Sequence, residues 1–270
     1  MLPVADDRLA AIDLGSNSFR LEIARFDGGA FQRLHFLKET VRQGAELDRQ
    51  WHLSEAAMQR GWECLARFAP LLEGIPPARV RAVATQTMRE ARNRSDFITR
   101  AEVVLGHPIA IISGHEEARL IYLGVTQQLP PSEERRLVLD IGGRSTELIL
   151  GSGHAAQRTA SHAMGAVSWS MQHFADGRID AARFDAAEDA ALALLQSSGC
   201  VRWIREQLIA AGHVERIAIP GMKDSRKPVA AGGIAILCAV LDALDIEELS
   251  YSPSALRHGM LVDMLQKQTG

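Results

Sequence analysis

Residues 139–147 read Leu-Asp-Ile-Gly-Gly-Arg-Ser-Thr-Glu (LDIGGRSTE); Leu137-Val138 precede them and Leu148-Ile149-Leu150 follow. An apolar run entering a glycine turn and leaving as a second apolar run predicts a strand–turn–strand device. A plain hairpin needs neither the aspartate before the glycines nor the Arg-Ser-Thr-Glu after them. Residues 11–23 (AIDLGSNSFRLEI) have the same layout: Asp13 matches Asp140, Gly15 matches Gly142, Ser18 matches Ser145 and Leu21 matches Leu148. The copies lie roughly half a chain apart, which reads as an internal duplication with one such device in each half-molecule.

The totals fit that reading. The chain has 270 residues, enough for two domains, and is 47% hydrophobic and 23% charged, so it can build a substantial core. A formal net charge of -3 gives no support to a general nucleic-acid binder. Cys64, Cys200 and Cys238 form no C-x-x-C pair, and their odd number argues against a disulfide framework. No HExxH occurs, which weakens any zinc reading. The N-terminus lacks a basic stretch followed by a long apolar one, and no apolar run reaches membrane-spanning length. A cytoplasmic protein without a membrane partner is the expectation.

Strands are expected over 9–14, 19–26, 30–37, 79–85 and 109–112, with a second strand pair around the later turn. Helices are expected over 55–72, 86–91, 95–105, after Ser113, near 166–174, 181–195 and 201–211, from about Gly232, and over about 254–266. Strands alternating with helices predict an α/β protein. Leu129-Pro130-Pro131 and the charged run 133–136 mark the expected boundary between a first domain, 1–128, and a second, 129–270, whose last helix could pack back on the first. Exposed apolar residues on that helix would permit a homodimer.

Backbone amides in a glycine turn converge on one small space, and hydroxyls and an amide side chain add donors, so each turn is a natural phosphate cradle. A carboxylate beside bound phosphate is repulsive unless a cation lies between them. Asp13 and Asp140 therefore suggest Mg²⁺ held partly through phosphate oxygens. In ISGHEEARLIYLGV (112–125), Ser113 and Glu116 have capping-box spacing, which leaves Glu117 free to act as a general base toward water. Spacing alone favours the plainer reading, two solvated acids at a helix start. Arg89, in ATQTMRE, could clamp phosphate or be an ordinary surface arginine.

Taken together, AAIDLGSNSF, ATQTMRE, ISGHEEARLIYLGV, LVLDIGGRSTELILG, MGAVSW and PVAAGGIAILCAVLDAL followed by SALRHGML resemble the exopolyphosphatase/guanosine pentaphosphate phosphatase (Ppx/GppA) family, in family order along nearly all of the chain. The resemblance implies a two-domain actin/hexokinase/Hsp70-like (ribonuclease H-like) fold with its active site in an interdomain cleft. It implies Mg²⁺-dependent release of terminal phosphate from inorganic polyphosphate, or of the 5′ γ-phosphate from guanosine pentaphosphate. The family's catalytic glutamate falls on Glu117. Its phosphate and metal contacts fall on Gly15, Ser16, Asn17, Ser18, Arg89, Gly142, Gly143, Arg144 and Ser145, and on Asp13, Asp140 and Glu147. The chain resembles members that lack a C-terminal HD-like region.

Three departures bear on function. Arg144 stands where the family has a third glycine, and a left-handed backbone there would strain it. The late motif L-R-E-G is Leu256-Arg257-His258-Gly259, one acid fewer. The segment between Phe174 and Pro220 is short for the family, with a reduced Ser197-Ser198-Gly199-Cys200 element, and a strand and a helix of the second domain are expected to be missing. The hydrolase reading therefore stands beside a second one, a non-catalytic polyphosphate- or nucleotide-binding regulatory protein. A kinase of the same superfold has little to favour it.

Overall fold

The computed structural model describes residues 7–27, 30–130, 132–195, 202–219, 222–244, 246 and 250–269. In chain order the strands are β1 (Arg8–Leu14), β2 (Ser18–Asp27), β3 (Ala30–Thr40), β4 (Val80–Ala84), β5 (Ile109–Ile111), β6 (Arg135–Ile141), β7 (Thr146–Ser152) and β8 (Ala155–His162). The helices are α1 (Glu55–Phe68), α2 (Gln86–Glu90), α3 (Arg94–Leu105), α4 (Gly114–Thr126), α5 (Ala166–His173), α6 (Ala181–Leu195), α7 (Arg202–Ala211), α8 (Lys227–Ala243) and α9 (Leu256–Thr269). The expected α/β alternation is present. Strand β8 was not foreseen. Helix α8 begins five residues before the expected start, because Pro228 in its first turn suits a helix start and the glycines at 232–233 lie inside it.

Packing groups Met1–Asp140, Glu147–Ser161 and Ser252–Gly270 into one compact unit, and Ile141–Thr146 with His162–Tyr251 into another. This differs from a division at residue 128. Val138 and Ile149, beyond that point, belong to a core shared with α4 and α9.

In the first unit the five-stranded sheet has the order β3-β2-β1-β4-β5. The β1–β2–β3 meander is antiparallel, whereas β4 and β5 run parallel to β1. Period-two alternation gives β1 two destinations. Ala10, Ile12 and Leu14 join the core under α1 and α3, while Leu9 and Ala11 join the core under α4 and α9. Asp13, in phase with Leu9 and Ala11, thus lies on the face that carries α4 and α9.

Helices α4 and α9 approach each other through glycines. A Cβ on Gly259 would lie 1.7 Å from the Leu120 carbonyl oxygen, and one on Gly124 would lie 2.5 Å from the Ala255 oxygen and the Gly259 nitrogen. Charges fix the same helices. Asp263 on α9 pairs with Arg81 of β4 and Arg119 of α4, and both arginines also pair with Glu116. Of the apolar residues of α9, Leu256, Met260, Leu261, Val262 and Met264 are buried and Leu265 is half-buried. Among the described residues, the exposed apolar face expected to permit a homodimer is therefore not found on this helix.

The late-motif departure also finds its context in this unit. Glu22, on β2, is buried and faces Arg257 Nε (3.3 Å), His258 Nε2 (3.3 Å) and Arg33 Nε (3.1 Å). The acid absent at 258 is met by a carboxylate on a neighbouring strand.

A second sheet has the order β6-β7-β8. It repeats the three-strand meander of the first, but among the described residues no strand follows β8. The burial patterns record the consequence. Strand β1, flanked on both sides, is almost wholly buried, whereas β6, with a partner on one side, is mostly half-buried or exposed. The reduced element at 197–200 lies outside the described residues.

The second unit is helical around the turn at 141–146. Trp169 of α5 donates to the Ala187 carbonyl of α6 at 3.0 Å, and Phe174 packs against Phe184. Gly232 of α8 lies so close to α5 that a Cβ would meet the Ser170 nitrogen and hydroxyl at 2.6 Å.

Candidate active site

The two turns share one local geometry. A Cβ on Gly15 would lie 3.0 Å from the Ser18 carbonyl oxygen, and one on Gly142 would lie 2.9 Å from the Ser145 carbonyl oxygen. The same offset, three residues on, recurs in both halves, as the sequence register of the duplication requires. The glycines are needed for this close approach, since neither has a positive φ.

Each turn is held from behind by its carbonyls. In the first, the Ser16 carbonyl accepts from the Gly44 amide at 2.8 Å, and the Asn17 carbonyl accepts from the amides of Val41 (3.1 Å) and Arg42 (3.0 Å). In a planar trans peptide the N–H points opposite to the C=O. The amides of Asn17 and Ser18 therefore face away from the 41–44 segment. In the second turn the Gly142 carbonyl accepts from Ala166, and the Gly143 carbonyl accepts from Val167 and Ser168. The amides of Gly143 and Arg144 then face away from the start of α5. Gly165 permits this contact, because a Cβ there would lie 2.4 Å from the Arg144 nitrogen. Two sets of oriented amides result, the arrangement that receives anions.

Arg144 is accommodated without the strain that a left-handed backbone would have imposed. Among the described residues, the non-glycine positive-φ positions are Arg42 and Trp51.

The first unit also gathers the acids. Asp13 is buried, and Arg20, its cross-strand partner, donates from Nη1 to its Oδ2 at 3.0 Å. Arg20 was not anticipated. The Asp13↔Arg20 register is readable once the turn length is known. Asp140 has its pKa raised, by burial first and also by Asp13, while Arg20 and Arg257 oppose the shift.

Glu117 is 8% exposed on α4 and accepts from Arg89 Nη1 at 2.8 Å. Burial pushes its pKa up to about 7, Arg89 opposes, and Asp13 and Asp140 add to the rise. Its neighbour Glu116 faces elsewhere. Ser113 caps the helix by accepting from the Glu116 amide, but the Glu116 carboxylate bonds Arg81 and Arg119 rather than returning to the cap. The expected capping box is thus half formed, because two guanidiniums outcompete one backbone amide for that carboxylate. Arg89 is also held by Gln86 and by the Ile112 carbonyl.

Glu147, 1% exposed, accepts from the Ser161 hydroxyl at 2.8 Å. Ser161 fits against α4 because position 114 is glycine; a Cβ there would lie 2.5 Å from the Ser161 hydroxyl. His115 on the same turn meets Thr159 at 2.8 Å. Sequence reading missed Ser161, since nothing local marks a strand serine as the partner of a residue fourteen positions earlier.

Of the expected residues, the first unit therefore brings Asp13, the 15–18 turn, Arg89, Glu117, Asp140 and Glu147 into one body, and the second unit holds Ile141–Thr146. Among the described residues, no three His, Cys, Asp or Glu side chains form a ready-made metal cage. The donor set still fits Mg²⁺, which is usually held by one or two carboxylates with phosphate oxygens and water completing the shell. Asp13 and Asp140 are two such carboxylates, and each raises the pKa of Glu117.

A model of the Ppx/GppA phosphatase family matches residues 22–200 and 197–268. Solved structures resemble the chain along their lengths. An exopolyphosphatase-like protein aligns at TM-score 0.79 and 22% identity, covering 97% of this chain and 99% of that one. The Aquifex aeolicus PPX-GPPA enzyme aligns at 0.74 and 24%, covering 95% and 99%. An exopolyphosphatase from Cytophaga hutchinsonii aligns at 0.73 and 23%, covering 96% and 98%. At these identities the structures speak for the fold. Nearly every motif quoted from the sequence lies within the span matched by the family model, and the chain belongs to the Ppx/GppA phosphatase family.

Proposed function

We propose that this chain is an exopolyphosphatase, releasing terminal phosphate from inorganic polyphosphate, with the 5′-phosphate of guanosine pentaphosphate as a second substrate to be tested. The observation that carries the reading is Glu117, a buried carboxylate with a pKa of about 7 in contact with Arg89. A general base works best with a pKa near the working pH. In this reading Glu117 takes a proton from the attacking water. Arg89 offsets charge on the transferring group, and the amides of Asn17 and Ser18 hold phosphate oxygens, while those of Gly143 and Arg144 give the second unit an anion-receiving turn of its own. Asp13 and Asp140 would hold Mg²⁺, which when bound offsets phosphate charge; Glu147, fixed by Ser161, supports that centre. Polyphosphate is preferred over the nucleotide because the short segment after Phe174 leaves less surface for a base.

The test is phosphate release from long-chain polyphosphate with Mg²⁺. Glu117→Gln should lower kcat by about 10²–10⁴-fold, and chelation of the metal should abolish release. Wild-type binding without release would instead support a regulatory phosphate-chain binder.

A further inference from the structure

A chain of contacts runs along helix α2 and ends on Glu117, all within the first unit. The helix carries Gln86, Arg89 and Glu90 at the i, i+3 and i+4 positions that share one face. Gln86 Nε2 donates to Glu90 Oε1 at 2.7 Å. Gln86 Oε1 accepts from Arg89 Nε at 2.9 Å and from Arg89 Nη2 at 2.6 Å. Arg89 Nη1 then donates to the Ile112 carbonyl at 2.9 Å and to Glu117 Oε2 at 2.8 Å.

Polarity fixes the order of this chain. A side-chain amide has one end that accepts and one that donates. With its oxygen toward a guanidinium and its nitrogen toward a carboxylate, Gln86 satisfies both neighbours. Turned over, it would set N–H groups against Arg89 and a carbonyl against Glu90. Glu90 therefore orients Gln86, and Gln86 holds two nitrogens of Arg89 while the third is left to meet Glu117. These contacts commit Nε, Nη1 and Nη2 to the protein. What Arg89 brings to a phosphoryl group is then chiefly a charge held in a fixed place beside Glu117. The ordering of a long side chain is complete in the free protein, which is the condition for preorganised electrostatics.

We propose that Gln86 is a positioning residue that fixes the Arg89 guanidinium on Glu117, with Glu90 setting the orientation of its amide. Its bearing on turnover rests on the reading of Glu117 as the base. Gln86 acts through Arg89 alone.

The test follows two readouts in the full chain, the Arg89 Nε–H resonance by NMR and kcat/KM for polyphosphate with Mg²⁺. Gln86→Met keeps the length of the side chain without its oxygen. It should broaden or exchange away the Arg89 signal and lower kcat/KM about tenfold. Gln86→Glu keeps an acceptor for both nitrogens and should preserve the signal. Added to Arg89→Ala, Gln86→Met should change kcat/KM by less than about twofold, since the residue through which it acts is gone. A preserved signal in Gln86→Met would overturn the proposal, as would costs that multiply in the double variant. Loss of the signal in both Gln86 variants would also overturn it, because the helix itself would then be disturbed. A signal lost in Gln86→Met alone, in a chain whose wild type releases no phosphate, would sink the hydrolase reading and keep Gln86 as the holder of Arg89. Full turnover by Gln86→Met with its signal intact would do the reverse.

Discussion

Glu117 sets the pH behaviour at the scale of single residues. Its folded-state pKa of about 7 lies above the ordinary 4.5. As the proposed base it must be ionised, so kcat/KM should rise with pH through about 7 and level off above. Arg89 holds that pKa down, so Arg89→Ala should move the acidic limb of the profile to higher pH as well as lower the rate. An unmoved limb would mean that another group titrates. Stability has the opposite slope. Between about 4.5 and 7 the folded chain binds the proton more tightly than the unfolded chain, so Glu117 costs stability as pH rises through its folded pKa. Glu117→Gln should therefore raise Tm at pH 8 more than at pH 5, a gain in stability with a loss of activity.

Elements position that residue, and their agreement with the sequence was uneven. The two hairpin turns, α4 and the acids at 13, 117 and 140 were legible, because apolar periodicity and repeated Asp-x-Gly spacing are local signals. The contacts that hold them were not. Ser161 reaches Glu147 from the next strand, and Arg20 reaches Asp13 across a hairpin. The left-handed backbone at Arg42 is braced from α1, through the Ala57 carbonyl on Gln43 and Arg60 on the Val41 carbonyl. Helix α9 groups with the first unit, the packing-back that the sequence allowed, but local spacing did not say which of its apolar residues are covered, so they could equally be read as an exposed oligomer face. The glycine crossing of α4 and α9 gives an element-scale prediction. Gly259→Ala should destabilise by about 1–3 kcal/mol or more, since the obstructing atom is the Leu120 carbonyl and cannot swing aside. Because α4 carries Glu117, kcat should fall in any fraction that still folds. A variant with unchanged Tm would show that the helices separate without penalty. Ser161→Ala should raise the Mg²⁺ concentration needed for half-maximal rate, by freeing one Glu147 oxygen; an unchanged requirement would remove Glu147 from the metal centre.

At the scale of the whole molecule, the duplication is incomplete among the described residues. Both halves keep the meander and its glycine turn, and the first alone has the two parallel strands beyond it among the described residues. Two compact units with separate packing also predict departure from two-state unfolding. Calorimetry should give a calorimetric enthalpy larger than the van't Hoff value, and equality of the two would mean that the units melt as one.

Helix α9 follows the second unit in the chain yet completes the first. Arg81 meets Asp263 across 182 positions, and Glu22 meets Arg257 across 235. During synthesis, α4 leaves the ribosome long before the helix that covers it. Until then the apolar face formed by Leu120, Ile121 and Val125 has no lid, and Glu22 has no Arg257 beside it. The nascent chain must therefore carry an unfinished core and an unmatched carboxylate through the making of an entire second unit, which is the interval in which a chaperone would find the most to hold.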